Sequence, residues 1–243
     1  MPADARAATM PAANSVQKET EITSPRGNKY RVIKTVEVDA YEKPLAPAEM
    51  ATAGATRMVP GDDFGGTDRK DAKLSLASAA TETFGDLQQL LKSLPADSKM
   101  IKHKPPLTKD PHFKRVTEEQ RNVRVRAFLY AASRETDNDF HFIVGRDPKS
   151  PAMFMNMELS GLPPKNAASF ARIKASRDAY KSFIGPHLPG AGYHHYDPPI
   201  PIEVTGSLFF DITHAKGTHP GPAKMRPKTI WEVHPISRIV FEP

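Results

Sequence analysis

Polar and apolar positions alternate most regularly in the second half of the chain. In NVRVRAFLYAASRE, Val123, Val125, Ala127 and Leu129 alternate with Arg124, Arg126, Phe128 and Tyr130. After the polar turn TDND, FHFIVG repeats the pattern with Phe140, Phe142 and Val144 on one face. Two period-2 runs joined by a short polar turn predict a β-hairpin. MFMNMELSG alternates as a third strand, with the methionines at 153, 155 and 157 as core filler. AASFARIKASRDAYKSFIG places Phe170, Ile173, Ala175, Tyr180 and Phe183 on a helical stripe that Gly185 and Pro186 end. PGAGYHHYDPPIP reads as a loop. IEVTGSLFFDI sets Val204, Gly206, Leu208, Phe210 and Ile212 on one face of a fourth strand, and TIWEVHP with RIVF supplies the last strand or two.

The first half is less regular. Residues 1–25 are rich in Ala, Ser, Thr and Pro without a period, which predicts disorder. Residues 26–99 form an extension. Within it, Tyr30, Val32, Lys34, Val36 and Val38 alternate as one long strand or a bent hairpin arm. Residues 43–73, with clustered Pro, Gly and Asp, read as linker. Phe84, Leu87, Leu90, Leu91 and Leu94 at helical spacing before Pro95 predict a short amphipathic helix, and an extended connector follows.

Five or six short strands with one helix between the third and fourth predict a mainly β domain over residues 100–243. The expected form is a small Greek-key, OB-like barrel with one inserted helix, carrying a partly disordered N-terminal extension. A glycine in mid-strand at VTGSLFFD suits a barrel sheet that must bend. The 24 prolines in 243 residues agree with many loops and short strands. The absence of cysteine excludes disulfides and thiolate metal sites, so any metal must be held by His, carboxylate or backbone oxygen.

The set DNDFHFIVG, MNMELSGLP, VTGSLFFDITHAKG and RPKTIWEVHPISRI resembles an uncharacterised bacterial family with an OB-like barrel. In that family D-x-D-x-H, F-F-D-x-x-H and E-x-H-P recur together. The resemblance covers roughly residues 120–241. It implies the fold and the grouping of these residues and carries no activity with it.

Strand parity decides which polar side chains share a face. With Phe140, Phe142 and Val144 inward, Asp139 and His141 point to the other side. By the same argument Asp211 lies opposite Leu208 and Phe210, while Glu232 and His234 lie opposite Trp231 and Val233. Should these strands be neighbours, Asp139, His141, Asp211, Glu232 and His234 converge, with His214 on the adjoining loop. Glu158 lies outward if Met155 and Met157 face the core, and either joins the cluster or is exposed.

Such a cluster has two readings. It is a set of His–carboxylate hydrogen bonds that lock strand register, or a site for Zn²⁺, Mn²⁺ or Fe²⁺ able to activate water for hydrolysis. No H-E-x-x-H, phosphate loop, nucleophile elbow or dinucleotide fingerprint is present. His194 and His195 read as loop residues, His219 as a turn residue and Trp231 as a core anchor.

Charge adds a third possibility. The net charge of +6 is concentrated in residues 101–243, which hold 21 Lys and Arg against 14 Asp and Glu. Arg124 and Arg126 beside Phe128 and Tyr130 offer cations and rings to an anionic ligand, nucleic acid or oligosaccharide. Lys216, Lys224, Arg226 and Lys228 add a basic rim. The expectation is therefore a non-catalytic binding module for an anionic ligand. A metal-dependent hydrolase and a purely structural or interaction protein are the alternatives, so whether the chain is an enzyme stays open. No segment has the apolar core of a secretory signal or the length of a membrane span, so a cytoplasmic protein with no membrane partner is expected.

Overall fold

The computed structural model describes residues 9–39, 61–215 and 219–243. Its centre is one mixed eight-stranded sheet in the order β1 (Val16–Thr23), β2 (Lys29–Thr35), β7 (His194–Phe210), β8 (Trp231–Phe241), β6 (Phe154–Leu159), β5 (Phe140–Gly145), β4 (Asn122–Arg134), β3 (Thr81–Phe84), with a further pairing of β7 to β4. The expected hairpin is β4 (Asn122–Arg134) and β5 (Phe140–Gly145), and its turn passes through Asn138 at φ 74°. β6 (Phe154–Leu159) runs antiparallel to β5. β7 (His194–Phe210) pairs with both β4 and β8 (Trp231–Phe241), and β8 pairs in parallel with β6. The pairings β4–β5–β6–β8–β7 thus return to β4. The predicted helix, Phe170–Ile184, connects β6 to β7 and ends at Gly185, whose φ of 59° suits a residue without a side chain.

Inward positions follow the predicted parity. Phe140, Phe142, Val144, Met155, Met157, Leu208, Phe210, Trp231 and Val233 form the main core with Tyr180 and Ile184 of the helix. Trp231 is fully buried and its indole donates to the Pro95 carbonyl at 2.8 Å. β8 is one strand, bent where it crosses β7: the register shifts on both sides of Gly206. A Cβ at Gly206 would stand 2.5 Å from the Pro235 carbonyl oxygen, so only glycine permits that crossing.

The N-terminal segments depart from expectation. Residues 16–23, inside the stretch read as disordered, form β1 (Val16–Thr23), which pairs with β2 (Lys29–Thr35). β1 is mostly exposed and polar, so its order comes from backbone pairing, which composition does not reveal. β2 in turn pairs with the start of β7, at Lys34 with His194 and Arg31 with Asp197. The segment GYHHYDPPIP is therefore strand, not loop. Pro198 and Pro199 are tolerated because the β4 partner jumps from Ile200 to His195 across Leu129 and Ala131, leaving both outside that ladder. Of the expected linker and the disordered stretch, residues 40–60 and 1–8 lie outside the described residues, as does Lys216. The part of the expected linker from residue 61 onward is structured. Asp63 bridges Leu162, and Lys70–Lys73 forms a short helix, α1. β3 (Thr81–Phe84) runs parallel to the start of β4. The predicted amphipathic helix is α2 (Leu87–Ser93), capped by the Asp86 carboxylate accepting from the Gln88 amide at 2.6 Å. A short α3 (Asp97–Ile101) precedes the connector, and Phe170–Ile184 is α4. Among the described residues, no helix is long and apolar enough to cross a membrane.

Every residue of β5 and β6 is buried, so the face opposite the main core is also covered. That covered face holds the polar cluster.

Candidate metal centre

Pairing register brings the polar residues of β5, β6 and β8 together. His141 and Glu158 are cross-strand partners. In the parallel pair, Asn156 meets Glu232 and Met157 meets Val233, so Glu158 and His234 become neighbours. Asp139 enters from the position before β5. Asp139 and His234 are fully buried, and Glu158 is 3% exposed. Asp139 Oδ2 lies 3.4 Å from His234 Nε2, while Glu158 Oε2 and Glu232 Oε2 lie 2.9 Å and 3.7 Å from Nδ1 of the same ring. One donor atom each from Asp139, Glu158 and His234 falls within 4.8 Å of the others.

Hydrogen bonding leaves this group unsatisfied. Asp139 Oδ1 accepts from the Gly161 amide at 2.6 Å, but its Oδ2 has no hydrogen-bond partner. The same holds for Glu158 Oε2, Glu232 Oε2 and both ring nitrogens of His234. The 2.9 Å contact between Glu158 and His234 has an ion-pair distance without hydrogen-bond alignment. Buried polar atoms normally find partners, and each one that fails costs ~1–3 kcal/mol. Several in one place therefore point to a missing group, and one donor atom each from Asp139, Glu158 and His234 is close enough to share a single ion.

The electrostatics point the same way. Lys73, brought in by α1, is buried, and Glu158, Asp137, Asp211 and Asp139 together outweigh that burial and hold its ammonium well above its ordinary pKa. Burial, with Asp137 and Glu158 close by, pushes Asp139 well up. Burial and then Glu158 and Asp211 do the same to Glu232. Burial also works against a charged Glu158, but His234 and Lys73 outweigh it and hold that carboxyl well below its usual range. His234 itself is pushed down by burial, against the opposing pull of Glu158. The layer has more carboxylates than cations, and a proton or a metal ion must make up the difference.

The remaining cluster residues fall into separate groups. His141 joins Asp39 and Glu135, with Nδ1 at 2.8 Å from Glu135 Oε1. Asp39 is already hydrogen-bonded, accepting from the Tyr193 hydroxyl at 2.7 Å and from the Gly221 amide. Desolvation raises Glu135 to about 7, and Asp39 and Glu135 hold His141 well above its usual range against its burial. This second group is a hydrogen-bonded network, apart from the unpartnered His141 Nε2. Asp211 accepts from the Thr213 amide at 2.8 Å and lies 3.4 Å from His214 Nε2, without joining the three donors. His195 contacts Glu37 at 3.1 Å, and His219 donates to the Pro227 carbonyl.

Arginines that the strand pattern does not mark hold the backbone around the donors. Arg177 of α4, 1% exposed, donates to the carbonyls of Asn138, Leu159 and Ser160, next to Asp139 and Glu158. Arg115 donates to the His234 carbonyl at 2.7 Å and to those of Ala72 and Ser75. Arg69 pairs with buried Glu119 through two 2.7 Å bonds. An isolated arginine in a connector or on a helix looks like a surface charge, which is why periodicity passes over it.

The proposed ligand-binding row is divided by the structure. Arg124 and Arg126 are exposed, and Arg126 lies 3.7 Å from Glu203. Phe128 is half-buried, and Tyr130 is buried edge-on to Phe154 with its hydroxyl donating to the Arg146 carbonyl. The irregularity between Leu129 and Ala131 ends the simple alternation that put all four on one surface. Lys224 and Arg226 lie elsewhere, on a groove beside α2. Comparison of the chain with family models, curated proteins and solved structures finds no match.

Proposed function

We propose that this chain binds a divalent metal ion through Asp139, Glu158 and His234, with Glu232 beside them, on the wall of an OB-like Greek-key barrel. The barrel reading is supported by the closed succession β4–β5–β6–β8–β7, the parallel β6–β8 pair and the helix between β6 and β7. It agrees with the resemblance carried by the D-x-D-x-H, F-F-D-x-x-H and E-x-H-P motifs.

The observation that carries the metal reading is the convergence of buried donor atoms without hydrogen-bond partners. A nitrogen with carboxylate oxygens suits Zn²⁺, Mn²⁺ or Fe²⁺. Two ligands on a tetrahedral ion with bonds of ~2.1 Å stand ~3.4 Å apart, which is the separation of Asp139 Oδ2 and His234 Nε2. Donors this deeply buried favour an ion that ties β5, β6 and β8 together over one that turns over a substrate.

The test is elemental analysis of the purified full chain, with thermal melts before and after a chelator and with Zn²⁺ or Mn²⁺ restored. Metal at 100 times its Kd adds ~2.7 kcal/mol, which for a domain of this size raises Tm by ~5–10 °C. Glu158→Gln retains the shape of the site and should abolish both the metal content and the shift. Metal-free protein whose melting ignores chelator and added ion overturns the proposal and leaves the cluster as a proton-sharing lock on strand register.

A further inference from the structure

A second candidate site lies away from the acid layer. α2, the start of β6 and the β7–β8 loop enclose a groove of about 650 Å³, within the ~300–1,000 Å³ typical of small-molecule sites. Its floor is apolar, with Leu91, Leu94, Met153 and Phe154. Lys224, Arg226 and Lys228 border it, and among the described residues none of the three has an ion-pair partner. Asp97 is the acid on its lining, and both its oxygens are engaged: Oδ1 accepts from the Thr229 hydroxyl at 2.7 Å and Oδ2 from the Ile230 amide at 3.2 Å. Arg226 Nε is buried and has no hydrogen-bond partner.

An apolar floor alone would fit any greasy surface, and lysines alone any anion. Together they select a molecule that has both parts. We infer that the groove binds a small amphiphilic anion, an acyl or aryl carboxylate whose apolar body covers Leu91, Leu94, Met153 and Phe154 while its head group meets Arg226 and the flanking lysines. The planar guanidinium suits a carboxylate. The floor residues come from α2, the segment after it and β6, so the groove exists only because the extension packs on the sheet. The metal centre plays no part in it.

The test is titration calorimetry of the full chain with sodium dodecanoate below its micellar concentration, compared with acetate and with the uncharged decyl maltoside. The expected result is one dodecanoate per chain, with acetate and decyl maltoside each at least tenfold weaker. Arg226→Gln with Lys228→Gln should weaken dodecanoate at least tenfold. Ala152→Trp, at an exposed lining position, should fill the groove and abolish binding with the melting temperature retained. Equal binding of decyl maltoside, equal binding of acetate, an unaffected Ala152→Trp variant or no binding at all would each overturn the proposal. Repeating the titration on Glu158→Gln separates the two sites, since dodecanoate binding should be unchanged there whether or not the acid layer holds metal.

Discussion

Arg177 illustrates how single residues fix the donor atoms. Its guanidinium serves three backbone carbonyls and the Asp62 carboxylate at 3.1 Å while lying 4.6 Å from the Phe140 ring centre. Replacing it by methionine preserves much of the volume and leaves those carbonyls without a donor, at a cost of ~3 kcal/mol. Because these carbonyls belong to residues beside Asp139 and Glu158, Arg177→Met should also weaken metal binding by ~10-fold, as loss of an outer-shell partner does elsewhere. Urea unfolding and a metal titration of the variant check the two effects separately.

His194 gives a pH signature independent of the acid layer. Burial pushes its pKa down to about 4, although it donates to the His187 carbonyl. A histidine held neutral in the folded state favours folding fully above its unfolded pKa of ~6.5. That contribution is lost as pH falls from there toward 4, and amounts to on the order of 3 kcal/mol. His194→Gln should flatten the loss of stability between pH 7 and 4 relative to the parent, as read from paired urea melts.

At the scale of elements, parity was legible and adjacency was not. Phe140, Phe142, Leu208, Phe210, Trp231 and Val233 identified the inner face, and with it the shared outward direction of Asp139, His141, Glu232 and His234. Nothing in alternation says that β8 lies parallel to β6, and that pairing is what sets Glu158 beside His234. Glu158 was for that reason ambiguous, and Asp211 and His214 were expected in a group they only adjoin. Strand bends were partly legible: Gly206 marked one in advance. Gly206→Ala forces a Cβ against the Pro235 carbonyl and the Val233 side chain, so β7 and β8 must separate where they cross. A loss of ~2–3 kcal/mol is expected, with a lower midpoint in urea and an unchanged slope if the fold is retained.

For the whole molecule, what the pattern hid was the cover. Polar side chains on the outer face of a sheet predict solvent there, yet His141, Glu158, Glu232 and His234 are all at most 3% exposed. The covering pieces include Lys73 and Ala72 of α1, from a stretch whose Gly, Pro and Asp content read as linker. Short, polar segments of this kind have no period because each touches the sheet at only a few points. The extension is therefore part of the domain: β1 and β2 lengthen the sheet and α1 supplies the lysine of the acid layer.

The parallel β6–β8 pair has a consequence in time. It links strands separated along the chain by α4 and all of β7, and pairings between distant segments form late and slowly because their loops must close first. Until β8 docks, Glu158 has no His234 beside it and the ring of strands stays open. The topology predicts that β4 and β5 meet early through their short turn, and that the β8–β6 and β7–β4 pairings, which span similar lengths of chain, close later and only then offer the donors as a set. On the proposed metal reading, an ion in solution during folding would meet scattered carboxylates first, so it would act as a latch on the completed pairings and not as the seed around which the chain assembles.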